Sequence, residues 1–345
     1  MIDFVWWGSI AEDTSIKPFK INVSQEIIDD LNQRLQKALP LPEWPPRDSR
    51  VYGWNTEDLK GILEFWREEY RWREREEFLN KYPQFTVSVE GLHIHYLHVK
   101  PNNTERLKVV PLLMLHGWPG SVREFYEIIP FLTRSHQKGT NFVFEVIAPS
   151  LPGFGFSNAT TRGGLGAVRM AILLKNFMLR VGFSKFYVQG GDWGGIIAQH
   201  MAALFAEHIK GIHSNFCFVY TRISHVERLI TIYSPSIFLP YLTTETERKQ
   251  YPLQKNFYRL LREFGTVIMQ SQTPDTLGLA FQHNPVGLLA FILEKFAAWT
   301  EPQWKFLKDG GLRNRFDITN LLDNVMIYWV TGSMTTSMRL VQGDA

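Results

Sequence analysis

The residue of this sequence best suited to chemistry is Asp192, in the hexapeptide GGDWGG at 190–195. Apolar KFYVQ runs into it and helix-forming IIAQHMAALFAEH runs out of it. Small residues two before and two after an aspartate allow a sharp strand-to-helix reversal, because a strained elbow leaves its neighbours no room for side chains. A carboxylate projected from such a turn stands above a sheet, beside a helix N-terminus whose field favours an anion. It can act as a nucleophile and leave an ester that water hydrolyses at the protein's own carbonyl. Taken alone, the motif reads equally well as a glycine-rich turn with an N-cap aspartate.

Two further loops shift that balance. HGWPGS at 116–121 follows the apolar run VVPLLML and leads into REFYEIIPFL, which reads as helix; APSLPGFGFS at 148–157 also follows an apolar run and is crowded with turn residues. Three such loops, in this order and after short buried strands, predict an α/β-hydrolase fold with a mainly parallel sheet. The main-chain N–H groups of Trp118 and Trp193 would then form an oxyanion hole that needs no side chain.

The elements that must position these loops follow from periodicity. Ser24 is a candidate cap for a helix over 24–37, and residues 56–80 read as one or two amphipathic helices with a solvated charged face. FTVSVEG and LHIHYLHVK form a predicted hairpin turning at Glu90 and Gly91. From residue 108, four short apolar segments (VVPLLMLHG, FVFEVIAPS, KFYVQGG, IKGIHSNF) alternate with stretches long enough for crossover helices. After residue 220 the strand rhythm gives way to helical segments that read as a lid over the core, and LLDNVMIYWVTG is a further apolar helix. The expected division is an N-terminal extension with the first strands at 1–105, a core at 106–220, a helical lid at 221–325 and a returning core segment at 326–345.

HGWPGS, PSLPGFGFS and YVQGGDWG resemble the corresponding motifs of the microsomal and juvenile-hormone epoxide hydrolases. The opening WWG, the segments SIKPFKI and LNKYPQFTVSVEGLHIHYLHVKP, and the lid segments PDTLGLAFQHNPVGL and LEKFAAWT are similar too, so the likeness covers essentially the whole chain. The resemblance implies an epoxide hydrolase in which Asp192 forms an alkyl ester with a hydrophobic epoxide and water releases a vicinal diol. It implies a place at the endoplasmic reticulum or microsomal membrane and peripheral association there. It also implies a histidine base with an acidic partner and two tyrosines that protonate the opening ring. The sequence departs from that pattern. Thr266 and Val341 stand where the family has its tyrosines, and the base, its acidic partner and the last core strands are expected beyond Ala345, so turnover by this chain is in question. The histidines after the elbow, His200, His208, His213, His225 and His283, read as structural or solvated.

Phe264, Ile268, Phe281 and Trp299 are the expected apolar lining of a substrate pocket, with core packing as their rival role. No cofactor and no metal site is expected: His93 and His95 alternate onto one strand face and His98 onto the other, so they do not converge. They are predicted to be solvated or at the core edge. The single cysteine, Cys217, excludes an intrachain disulfide and is predicted to be a buried thiol. A formal charge of +3 gives no basic surface for nucleic acid. The N-terminal MIDFVWWGSIAEDTS shows neither a signal-peptide pattern nor a membrane span, while Trp6 and Trp7 suit either an interface or packing against the protein. Oligomeric state is not legible. Two other readings stay open: a non-catalytic binder of hydrophobic ligands, and a haloalkane dehalogenase-like hydrolase with Trp193 as halide ligand.

Overall fold

A computed structural model describes residues 5–11, 13–41, 53–54, 56–102, 107–134, 141–217, 265–301, 304, 307 and 310–343. Its centre is a seven-stranded sheet: β1 (Lys17–Phe19), β2 (Gln84–Val89), β3 (Leu92–Val99), β4 (Lys108–Leu115), β5 (Phe142–Pro149), β6 (Phe186–Gly190) and β7 (Ile209–Ser214), in the spatial order β1-β2-β3-β5-β4-β6-β7. The strands β5, β4, β6 and β7 are mutually parallel, whereas β1, β2 and β3 join antiparallel. The sheet is therefore mixed rather than mainly parallel, because the N-terminal hairpin enters the same sheet through β3 and β5. That hairpin turns at Glu90 and Gly91, both at positive φ, with Val89 opposite Leu92. Short two-residue turns of this kind need two left-handed residues to match the twist of the flanking strands.

Helices cover the sheet. The N-terminal extension supplies α1 (Gln25–Gln36), α2 (Thr56–Glu68) and α3 (Trp72–Leu79). Ser24 precedes α1 but makes no side-chain cap. Residues 56–80 divide into two helices at Tyr70 and Arg71. The segment after HGWPGS is not one helix: a 3₁₀ turn at Val122–Phe125 is followed by the short helix α4 (Ile129–Leu132), which places Pro130 in a first turn that lacks N–H partners in any case. The crossover helices are α5 (Ala167–Arg180) and α6 (Asp192–Leu204). Of the lid, the structure describes residues 265–272 (α7), α8 (Pro274–Gln282) and α9 (Pro285–Thr300). The earlier lid residues, Phe264 and His225 among them, lie outside the described residues. Two helices close the described chain, α10 (Ile318–Thr331) and α11 (Ser333–Gly343). Helix α8 lies so close to α11 that a Cβ on Gly278 would overlap Thr335.

Two surface expectations are corrected, and one open alternative is decided. Cys217 is exposed, because it lies three residues beyond β7, where the chain leaves the outermost described strand. His95 is fully buried rather than at the core edge: its ring spans Ser150 Oγ at 2.9 Å and Gln84 Oε1 at 2.8 Å, which satisfies both nitrogens inside the protein. Trp7 packs inward, with its N–H on the Glu90 carbonyl at 2.8 Å. At the other end of the sheet, Tyr187 and Ile212 are exposed on β6 and β7. Among the described residues no single helix is long and apolar enough to cross a membrane. The pair α8 and α9 passes that test only when joined, and it bends by 119°.

Candidate active site

Strand β6 ends at Gly190 and α6 begins at Asp192, so the chain reverses within two residues. Asp192 holds φ +50, one of two positive values at non-glycine residues among the described residues. Left-handed backbone at a side-chain-bearing residue is costly and marks a site where the surroundings enforce it. Here glycines enforce it: a Cβ on Gly190 would overlap the Gly194 carbonyl, and one on Gly194 would overlap the carbonyl of Leu115. The spacing of small residues thus has the steric cause assigned to it from sequence.

The HGWPGS loop lies directly against this elbow. Trp118 N–H donates to Asp192 Oδ1 at 2.8 Å, and Trp193 N–H bonds the same carboxylate. A Cβ on Gly117 would collide with the Asp192 side chain, so only glycine lets the loop approach so closely. Burial, the largest effect, raises the Asp192 pKa above the usual aspartate value; the two N–H groups oppose that shift. The result is a carboxylate with two main-chain donors and, among the described residues, no cation bonded to it.

The loop itself is held from both sides. His116 is fully buried and neutral, its pKa lowered to about 4 by burial. Its Nδ1–H donates to the Gly117 carbonyl at 3.0 Å, and Nε2 accepts from Leu151 N–H at 3.1 Å, which ties HGWPGS to the PSLPGFGFS loop. From α10, Asn324 Nδ2 donates to the Pro119 carbonyl at 2.7 Å and Asn324 Oδ1 accepts from Ser121 Oγ at 2.7 Å. Tyr328 donates to the Gly120 carbonyl at 2.8 Å. Two residues past the loop, Arg123 reaches Asp323 at 2.8 Å, and the same carboxylate takes two bonds from Arg75 and one from Tyr70.

Above the loop sit aromatic rings. The Trp118 indole donates to Ser337 Oγ at 3.1 Å and packs at 5.9 Å from both Phe291 and Trp299. Phe281 stacks on Phe291 at 4.4 Å. The structure therefore gathers Asp192, Trp118, Trp193, Phe281 and Trp299 in one region. Ile268 is exposed on α7, Thr266 is half-buried on the same helix, and Val341 is buried on α11. Of the histidines after the elbow, His208 bonds the Ser184 carbonyl, His213 is exposed on β7, and His283 follows α8, its own carbonyl accepting from Arg34. Two residues near the site escaped sequence reading: Glu124 and Tyr328. Each sits in a segment whose pattern signals only a helix, and only the approach of Gly117 and Gly120 reveals them.

A sharp strand-to-helix elbow between β6 and α6, with a backbone-donor loop after β4, defines the α/β-hydrolase class. Matches to known families refine it. Residues 16–125 match the model "Epoxide hydrolase N terminus" and residues 110–215 match "alpha/beta hydrolase fold". The chain is 48% identical over 341 residues to juvenile hormone epoxide hydrolase 1 of Ctenocephalides felis, covering 97% of this chain and 72% of that protein. It is 45% identical over 350 residues to epoxide hydrolase 1 of Sus scrofa, covering 97% and 75%. The crystal structure of juvenile hormone epoxide hydrolase from Bombyx mori superposes with a TM-score of 0.92 at 42% identity, over 99% of this chain and 80% of that one. The chain belongs to the epoxide hydrolase family.

Proposed function

We propose that this protein opens hydrophobic epoxides, with Asp192 attacking a ring carbon and forming an alkyl ester that water then cleaves to a vicinal diol. The observation that carries this reading is the Asp192 carboxylate at its strained elbow, bonded by the N–H groups of Trp118 and Trp193. Attack converts one carboxylate oxygen into an ester oxygen and leaves the other as a carbonyl. Water adding to that ester places negative charge on the carbonyl oxygen, where two pre-oriented donors act without reorganising. The aromatic cluster of Trp118, Phe281, Phe291 and Trp299 favours an apolar substrate. Juvenile-hormone epoxides fit that class and are named in the relatives from Ctenocephalides felis and Bombyx mori. The division at residues 105, 220 and 325 belongs to the same proposal, as does peripheral association with the endoplasmic reticulum membrane, which rests on likeness to the microsomal branch.

Incubation with a styrene-type epoxide followed by intact-mass measurement tests the reading. The expected result is an adduct of protein plus epoxide that maps to Asp192, is absent in Asp192→Asn and decays to diol. An adduct that persists indicates ester formation without turnover. Reversible binding with neither adduct nor diol overturns the proposal in favour of a binding protein.

A further inference from the structure

The Trp118 N–H serves Asp192 only while the HGWPGS loop stays in place, and residues 116–121 belong to no strand or helix that would fix them. Closer approach is blocked, because the Gly117 backbone already meets the Asp192 side chain. Retreat is what must be prevented. On the strand side, the Gly117 carbonyl takes His116 Nδ1–H and Gly120 N–H, each at 3.0 Å. On the other side α10 takes the next groups in order: Asn324 Nδ2 donates to the Pro119 carbonyl at 2.7 Å, the Tyr328 hydroxyl donates to the Gly120 carbonyl at 2.8 Å, and Ser121 Oγ donates to Asn324 Oδ1 at 2.7 Å. Residues 324 and 328 are one helical turn apart, so they share a face. Both are buried among the apolar Leu321, Leu322, Val325 and Ile327 of the same helix. A buried carboxamide and a buried hydroxyl need partners. Here those partners are three successive residues of one loop.

We propose that Asn324 and Tyr328 are positioning residues for Asp192: by tethering Pro119, Gly120 and Ser121 to α10 they hold the Trp118 N–H on the Asp192 carboxylate. The tether is geometric, while its consequence for the reaction rests on the alkyl-ester reading above. Neither residue bonds Asp192; each acts through the loop. Helix α11 completes the hold from the ring side. The Trp118 indole donates to Ser337 Oγ at 3.1 Å, and Ser337 Oγ donates in turn to the Met334 carbonyl at 2.8 Å. Residue 118 is thus pinned at its ring and through the backbone that follows it, and its own N–H is left for Asp192.

The placement matters because so little else answers the Asp192 charge. Among the described residues, the titratable groups facing it are Glu124 from the 3₁₀ turn and Tyr328 from α10, and neither is a cation. Burial raises the Asp192 pKa, and the Trp118 N–H is the first of the two donors that oppose it. A loop that drew back would lengthen the 2.8 Å contact, and a hydrogen bond weakens steeply with distance and angle. Asp192 would then keep its proton to higher pH, and a protonated carboxyl is a poor nucleophile. Were Asn324 and Tyr328 merely structural, their loss would lower stability and leave the titration of Asp192 where it was.

Carboxyl NMR of the full chain carrying isotope-labelled aspartate reads that titration directly, with Asp192→Asn assigning the signal. Tyr328→Phe, which removes one oxygen and keeps the ring, and Asn324→Ala should each raise the Asp192 midpoint by about one pH unit. Tyr126→Phe is the control. Its hydroxyl is also buried and donates to a carbonyl, that of Leu79 at 2.6 Å, outside the loop, so its loss should lower stability and leave the midpoint unchanged. Wild-type midpoints in both α10 variants, a shift in only one of them, or an equal shift in Tyr126→Phe overturns the proposal. If Asn324→Ala does not fold, Ser121→Ala, which removes the hydroxyl that holds the Asn324 carboxamide, takes its place under the same criteria. Styrene oxide then addresses the reaction separately. Below the wild-type midpoint, adduct formation in the two variants should slow about 10-fold, and above the raised midpoint it should recover. Raised midpoints beside a wild-type chain that forms no adduct would uphold the tether and overturn the alkyl-ester reading alone.

Discussion

Two aspartates lie close to the HGWPGS segment, Asp323 fully buried and Asp192 half-buried, and the protein treats them in opposite ways. Asp323 is fully buried and surrounded by partners: Arg75 bonds it through Nε at 2.8 Å and Nη2 at 2.6 Å, Arg123 through Nε at 2.8 Å, and Tyr70 through its hydroxyl at 3.0 Å. Its charge is fully answered, and it joins α3, α10 and the turn after the loop. Asp192 has two main-chain N–H groups, no bonded cation among the described residues, and open space beside it. The comparison teaches that a carboxylate inside the fold can be held either by cations that saturate it or by main-chain dipoles alone. Fixed dipoles stabilise a charge without reorganising.

The contrast can be broken most forcefully at Asp323. Asp323→Asn leaves the guanidinium groups of Arg75 and Arg123 without their shared anion and should cost about 3–5 kcal/mol of stability. Chemical denaturation reads this directly. In the fraction that stays folded, the adduct at Asp192 should still form. A stable Asp323→Asn protein that cannot form the adduct would erase the distinction between the two sites.

Acid should act next most strongly, through the histidines that brace the loops. His116 and His95 have folded pKa values lowered to about 4 and about 3 from an unfolded 6.5, both by burial. Between these limits the unfolded chain binds more protons than the folded one. Stability is therefore full above pH 6.5 and is lost as pH falls toward 4. Going from about pH 6 to about pH 5 should cost about 1–3 kcal/mol, read as a drop in the urea midpoint. A midpoint that does not change over that interval would show that His116 is not held neutral between the loops.

The smallest effect is expected at the surface, where a well-formed ion pair contributes little. Arg339 and Asp275 bond through two contacts of 2.6 and 2.8 Å between α11 and α8, but both are substantially exposed. Asp275→Ala should change stability by about 0–1 kcal/mol, and less in high salt. A larger loss would mean that the packing of α8 on α11, rather than the charge, had been disturbed.

Much of the site was legible because its constraints are local. Gly190, Asp192 and Gly194 announce an elbow through spacing alone, and the loop bearing Trp118 announces itself by following an apolar strand. The Trp118–Asp192 contact needed the parallel placement of β4 beside β6; the alternation of short apolar runs implies the parallel strands, and the structure supplies their order. Glu124, Tyr328, Asn324 and the Asp323 cluster were not legible. Asp323 and Asn324 sit in an apolar helix more than 190 residues from their partners on the HGWPGS turn. Nothing in a helical period tells which distant loop its polar face will meet. Cys217 failed for the related reason that apolar neighbours in sequence do not ensure cover in space.

By itself, then, the sequence determined the elbow, the donor loop and the hydrolase class, because each follows from steric rules acting within a few residues. Only the tertiary structure decided which carboxylate is paired with cations and which meets main-chain N–H groups alone, and that Glu124 stands near Asp192. Those outcomes depend on desolvation and on through-space partners brought together by packing, and neither is encoded in any short stretch of chain.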